Sequence, residues 1–265
     1  MITTRPGAWA TAFGAVGDAL QGFRDVPRPY VVVLVVSALS EFIMLPYSLD
    51  PQAEASPVGS FIVLGFMLIS MFLLTSPYIA LVRYFLYADM SAGFEPRGPV
   101  LRVFGWMLAL SFGAGLIFGG AMLVAAVIAM AVQTETAAQA AVAAVSGLAL
   151  VGLLWASLRL TTFFVALALD EPVSLRARFA ETGGRVWFIL RTLLASCVVL
   201  IPYFLAMIAI QFGIFGAESF AAETIPPPSL GQRLLDALLT GVLGAAYFAY
   251  VAALYVRLFR AVPAA

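Results

Sequence analysis

Residues 58–83 read VGSFIVLGFMLISMFLLTSPYIALVR, and the first charge met is Arg83, the last residue. A helix needs roughly 20 apolar residues, at about 1.5 Å rise each, to cross the hydrocarbon of a bilayer. This run is longer than that, so it reads as a membrane span. Five other runs read the same way: Tyr30–Tyr47, Val103–Val132, Ala137–Ala168, Val186–Phe215 and Leu230–Arg257. The later ones exceed the required length, which implies tilt or protruding ends. The expected fold is an all-α polytopic membrane protein of six transmembrane helices. Composition agrees, because the 265 residues are 63% hydrophobic and only 11% charged, with a mean hydropathy of +1.03. A soluble domain carries about 25% charged residues and could not solvate such a surface.

Arginine placement orients the spans. All 14 basic residues are Arg. Arg5, Arg24 and Arg28 precede the first span, and Arg83, Arg97 and Arg102 surround the connection between the second and third. Arg159, Arg176, Arg178, Arg185 and Arg191 surround the connection between the fourth and fifth, and Arg257 and Arg260 close the last. Only Arg233 stands on the other side, near the acidic connections around Asp50–Glu54, Glu135 and Glu218–Glu223. The positive-inside rule then places both termini in the cytoplasm. Tyr78, Tyr84, Tyr87, Trp106, Trp155, Trp187 and Tyr255 fall near the inner boundaries, where amphipathic rings prefer the headgroup level. Residues 1–28 hold no apolar signal region, so an uncleaved N-terminus is expected.

Residues 1–28 read as a cytoplasmic interfacial segment and residues 29–265 as the transmembrane domain. Trp9, Phe13, Val16, Leu20 and Phe23 recur at helical spacing, with Thr11, Asp18, Gln21 and Arg24 opposite. Thr4 is a candidate N-cap and Pro6 a first-turn residue, and the helix ends near Pro27. It lies on the inner leaflet or packs against the bundle from below. A second polar piece, ALDEPVSLRARFAETGGRVWF at 168–188, carries Asp170, Glu171, Arg176, Arg178, Glu181 and Arg185. Asp170 and Pro172 can start a short helix there, and Gly183–Gly184 can end it. On the outer side, Ser229 and Gln232 have capping-box spacing, and Arg233 and Asp236 lie three apart and can pair.

Asp89–Trp106 and Asp170–Trp187 share a spacing. In each, an Arg (Arg97, Arg178) follows the Asp by eight residues and a Trp follows by 17. Each joins an inward-running span to an outward-running one, which suggests parallel duplicated hairpins. The stretch LRLTTFFVALALDEPVSLRARFAETGGRVWFIL at 158–190 resembles the glycerophosphoryl diester phosphodiesterase membrane-domain family and related YciC-like inner-membrane proteins. There a span ends in an Arg-containing segment, then a Pro/Ser-Leu-Arg stretch, then Gly-Arg-x-Trp and the next span. The counterparts here are Arg159, Pro172–Arg176 and Gly184–Trp187. The resemblance implies a six-span bundle. Some relatives carry a fused phosphodiesterase domain, but no such domain is read in these 265 residues, so no hydrolytic activity is expected to carry over.

Several chemistries are excluded or disfavoured. With no His, a Ser-His or Cys-His pair cannot form within the chain, and Cys197, the single cysteine, reads as a small buried hydrophobe. No Walker phosphate loop, permease coupling loop of the right spacing or repeated-aspartate phosphatidyltransferase motif occurs. The candidate sites are few. Glu41, inside the first span, reads as an intramembrane proton or cation site, or as a carboxylate snorkelling outward or bonded to a neighbouring span. Arg159 can hold a lipid phosphate, pair with Asp170 or Asp89, or anchor the span. Asp89, Arg97, Asp170 and Arg178 can form an anionic-headgroup site, or caps and ties between hairpins. Arg83 and Arg191 read as anchors. Pro77 and Pro202 can kink their spans. Gly115 with Gly119 and Gly241 with Gly244 read as packing positions, inside the bundle or in a dimer.

The expected function is a non-enzymatic protein of a bacterial inner membrane that scaffolds a partner or organises lipid. The alternatives are a small permease using Glu41 and Arg159, and a lipid-modifying enzyme. Expected partners are membrane lipids and another membrane protein or a second copy of the chain. No nucleic acid, metal or cofactor is implied.

Overall fold

The structure, a computed structural model, describes residues 7–49, 56–90, 97–131, 134–171, 174–215 and 229–261. Among these there is no strand. Six segments are long and apolar enough to cross a membrane, and the chain is an all-α polytopic membrane protein. Helix α1 spans Ala8–Asp25, α2 Pro27–Leu49, α3 Pro57–Tyr87, α4 Arg97–Ala131 and α5 Glu135–Leu160. Short α6 (Phe163–Ala168) and α7 (Leu175–Glu181) follow, with a 3-10 turn at Gly183–Arg185. Then come α8 (Val186–Val199), α9 (Ile201–Phe215) and α10 (Leu230–Ala261).

The fourth span is shorter than its apolar run. The expected helix to Ala168 stops at Leu160, because two hydroxyls compete for its carbonyls. Thr161 Oγ1 donates to the Ser157 and Leu158 carbonyls at 3.1 and 3.0 Å, and Thr182 Oγ1 takes the Arg159 carbonyl at 2.8 Å. The chain then re-enters as α6, whose Phe163, Val165, Ala166, Leu167 and Ala168 are all buried. The fifth span is broken as well. Helices α8 and α9 meet at Leu200, two residues before Pro202, whose missing N–H removes a ladder bond. Pro77, in contrast, lies inside a continuous α3.

Among the described helices, α2 and α10 pack against each other most extensively. A Cβ at Gly241 would stand 2.8 Å from the Leu34 carbonyl oxygen and 2.9 Å from Ala38 Cβ, and one at Gly244 would meet Ser37 Oγ at 3.0 Å. Small residues are what let these backbones approach. Gly115 and Gly119 differ, since a Cβ at either meets nothing within 4 Å, so they take no part in packing inside the bundle. In the most apolar stretch of α10, 44% of residues are buried, against 6% in α4 and in α5. The α4–α5 hairpin therefore packs mainly on itself and is otherwise exposed. Cys197 is exposed, contrary to expectation, because α8 buries only the face bearing Ile189, Thr192, Ala195 and Ser196.

The well-packed core lies toward the arginine-rich end. Phe163, Val165 and Leu167 of α6 contribute to it with Tyr30, Ile79, Leu81, Val82, Phe85, Val103, Ile189, Leu254 and Leu258. Tyr78 and Tyr84 join this core instead of an aromatic belt, and Trp106 packs edge-on against Phe163 with centroids 5.2 Å apart. Trp187, its counterpart in sequence spacing, is 72% exposed.

Candidate functional site

Helix α1 crosses the arginine-rich end of the bundle. Its buried residues are small: Thr11, Ala12, Ala15, Ala19 and Gly22. They allow a close approach to α10 and α8. Trp9, Phe13, Leu20 and Phe23 point away and are exposed. The packing against the bundle is therefore observed, with the small-residue face turned inward and the aromatic face left exposed. Polar ties fix the helix. Asp18 accepts from Arg257 Nε and Nη2 at 2.6 and 2.8 Å, Tyr84 donates its hydroxyl to Asp25, and Tyr30 donates to the Ala19 carbonyl at 2.6 Å. The cap before Ala8 is Gly7, and the Thr4 and Pro6 expectations lie outside the described residues.

The polar segment after α6 is built around two arginines. Arg159 Nε donates to the Phe179 carbonyl at 2.8 Å, and its guanidinium lies over the Phe179 and Trp155 rings at 4.4 and 5.2 Å. It clasps α7 and pairs with neither Asp170 nor Asp89, because the backbone of α7 reaches it first. Arg178 binds Glu171 at 2.7 Å and Glu181 at 2.9 Å, is only 11% exposed, and lies over the Phe259 ring. Those two carboxylates neutralise the charge that a headgroup would use. Asp170 does not cap α7. Ser174 does, accepting from Ala177 N at 3.3 Å, while Asp170 has φ 60° after α6 and pairs with Arg102. Asp170 thus ties the second polar connection to the start of α4, as a link between hairpins would. Asp89 is half-buried and partnered. Arg97 opens α4, and its side chain and Pro172 lie outside the described residues.

Charge at this end is unbalanced. Among the described residues, each of its carboxylates (Asp18, Asp25, Asp89, Asp170, Glu171 and Glu181) has a partner. Arg83 and Arg260 are held by backbone carbonyls. Arg24, Arg28, Arg176 and Arg191 are exposed and have no partner among the described residues.

A second polar group lies toward the other end, inside the spans. Asp236 of α10 is fully buried and accepts from Gln211 Nε2 of α9 at 2.8 Å. Its carboxyl faces that of Glu41 on α2. Asp236 Oδ2 and the Thr240 hydroxyl are buried without a hydrogen-bond partner among the described residues. The expected Arg233–Asp236 pair does not form. Arg233 instead donates to the Phe42 carbonyl at 2.9 Å and lies 4.5 Å from the Phe42 ring. Glu41 stands out in the sequence as an intramembrane carboxylate, whereas Gln211 carries no local signal and Asp236 pairs across helices and not with the nearby Arg233. The available signal was a carboxylate a turn inside the last span, out of reach of solvent. Nearby, the Ser229–Gln232 capping box forms as expected, with Ser229 N donating to Gln232 Oε1 at 2.9 Å and Gln232 N to Ser229 Oγ at 3.3 Å. Gln232 Nε2 also takes the Ile214 carbonyl at 3.0 Å, joining α9 to α10.

No family model, curated protein or solved structure matches the chain.

Proposed function

We propose that the chain is a non-enzymatic multi-pass protein of a bacterial inner membrane, with both termini cytoplasmic, that organises anionic lipid in the inner leaflet. The observation that carries this is the two-faced α1, whose small residues lock onto the spans while Trp9, Phe13, Leu20 and Phe23 are presented outward. A helix with an exposed aromatic face, beside unpartnered arginines, suits the boundary between headgroups and acyl chains. The resemblance to the glycerophosphoryl diester phosphodiesterase membrane-domain family belongs to the same proposal. It rests on Arg159, Pro172–Arg176 and Gly184–Trp187.

Fluorescence tests the reading. In a variant with Trp106, Trp155 and Trp187 replaced by Phe, brominated lipid quenches Trp9, and more strongly when the brominated lipid is phosphatidylglycerol than when it is phosphatidylcholine. Quenching of Trp9 by aqueous iodide but not by brominated lipid refutes it.

A second reading, a small permease, has one observation in its favour: Glu41, Asp236 and Gln211 converge between α2, α9 and α10. Arg159 gives it no support, being committed to Phe179 at the other end. Proteoliposomes in which Glu41→Gln abolishes a cation-driven current that the parent carries would establish it in place of the lipid reading.

A further inference from the structure

Arg185 and Arg191 share a hollow that no role above uses. A cavity of about 380 Å³ opens between the first turn of α1, the start of α8 and the end of α10. Gly7, Ala8, Arg185, Phe188, Arg191 and Ala261 line it. Gly184 borders it as well, and a Cβ there would meet nothing within 4 Å. No described carboxylate lines it, although every carboxylate at this end is engaged elsewhere.

The two arginines are prepared differently. Arg185 donates Nη1 to the Ala261 carbonyl, which holds the guanidinium at the wall and leaves its other N–H groups uncommitted among the described residues. Arg191, six residues on, is exposed and without a partner among the described residues. Arg24, Arg28 and Arg176 are also unpartnered, but they do not line this hollow. The remaining wall is apolar at Ala8, Phe188 and Ala261, and exposed Trp187 lies beside it in the chain. The complementary ligand has anionic oxygens at one end and hydrocarbon at the other. Arginine forks match phosphate oxygens, and a phosphate with acyl chains also covers the apolar wall, which a free anion leaves bare.

The geometry points to a binding site for one anionic glycerophospholipid, its phosphate between Arg185 and Arg191 and its chains against Phe188. This rests on the interfacial reading only for the depth of the site in the membrane.

Native mass spectrometry of the full chain, released from phosphatidylcholine nanodiscs containing a minor fraction of phosphatidylglycerol, tests it. The parent retains one phosphatidylglycerol. Arg191→Gln removes a charge-assisted contact, and Gly184→Leu fills the hollow without changing charge. Each lowers retention by about tenfold. Arg176→Gln, at another exposed arginine outside the hollow, leaves retention unchanged. Helix content and melting of all three variants are compared with the parent, so loss of fold is separable from loss of lipid. Equal retention by parent, Arg191→Gln and Gly184→Leu overturns the site. So does an equal fall in Arg176→Gln, which would mean diffuse surface charge, or displacement of the lipid by inorganic phosphate, which would mean a free-anion pocket. If the site fails while Trp9 remains quenched by brominated lipid, the site alone is lost. If Trp9 is not quenched, the interfacial reading falls with it.

Discussion

Adding one methyl group at Gly241 tests how the bundle is held together. In Gly241→Ala the new Cβ would stand 2.8 Å from the Leu34 carbonyl oxygen and 2.9 Å from Ala38 Cβ, where ordinary contact is 3.4–4 Å. The nearest atom is backbone and cannot rotate away, so α2 and α10 must part by about half an ångström or more, which weakens dispersion contacts along the pair. Overpacking of this kind costs about 1–3 kcal/mol, roughly a 5- to 150-fold change in the folding equilibrium. Gly119→Ala is the control. Its Cβ meets nothing within 4 Å, so helix propensity dominates and the change stabilises by about 0.5–1 kcal/mol. Reversible unfolding in mixed micelles of increasing SDS fraction, followed by circular dichroism, measures both. The expected shifts have opposite sign. A Gly241→Ala variant as stable as the parent, or a Gly119→Ala variant equally destabilised, would refute the idea that close α2–α10 contact holds the bundle.

Three other outcomes follow from polar contacts. The Asp18–Arg257 pair, with both side chains 30% exposed and two hydrogen bonds, should give a coupling of about 1 kcal/mol in a double-mutant cycle of Asp18→Asn and Arg257→Gln. Zero coupling would mean that α1 is held by its small residues alone. Arg159→Gln releases the Phe179 carbonyl, so tryptic cleavage after exposed Arg176 should accelerate by about tenfold while global unfolding changes little. Unchanged cleavage would show that Arg159 does not restrain α7. Ser229→Ala removes the cap of α10 and should cost about 0.5–2 kcal/mol in the same SDS titration, and no loss would show that the capping box is idle.

Much of the architecture was legible because membrane spans are defined by length and apolarity, two properties local in sequence. The apolar run containing residues 58–83 lies within α3, and the Ser229–Gln232 box formed because capping involves residues three apart. The errors arose where a distant element set the outcome. Thr161 and Thr182 ended α5 before the apolar run ended, and the partner of Thr182, the Arg159 carbonyl, is 23 residues away. For α1, periodicity identified two faces, but hydrophobicity alone did not show that the smaller residues turn inward. That follows from how near a helix can approach another when its contact face carries Ala and Gly. Of the two structural roles open to Asp170, the local cap goes to Ser174, and the tie between hairpins forms with Arg102, 68 residues back. Glu41 was recognisable as unusual by itself, but its companions Gln211 and Asp236 come from two other spans, and nothing in local spacing could bring them together.

The arrangement of α1, α2 and α10 has a consequence for biosynthesis. Helices α1 and α2 are made before the α10 that covers them, and the tie from Asp18 to Arg257 joins residues 239 positions apart. At about 5–20 residues per second, a ribosome takes roughly 12–48 s to supply that partner. During this interval the narrow glycine-fitted groove on α2 is open to any passing helix, while α4 and α5, which lean mainly on each other, can already be complete. The α2 seam therefore closes only once α10 has been made, and a nascent protein stalled before Leu230 would present the insertion machinery with that seam unfilled.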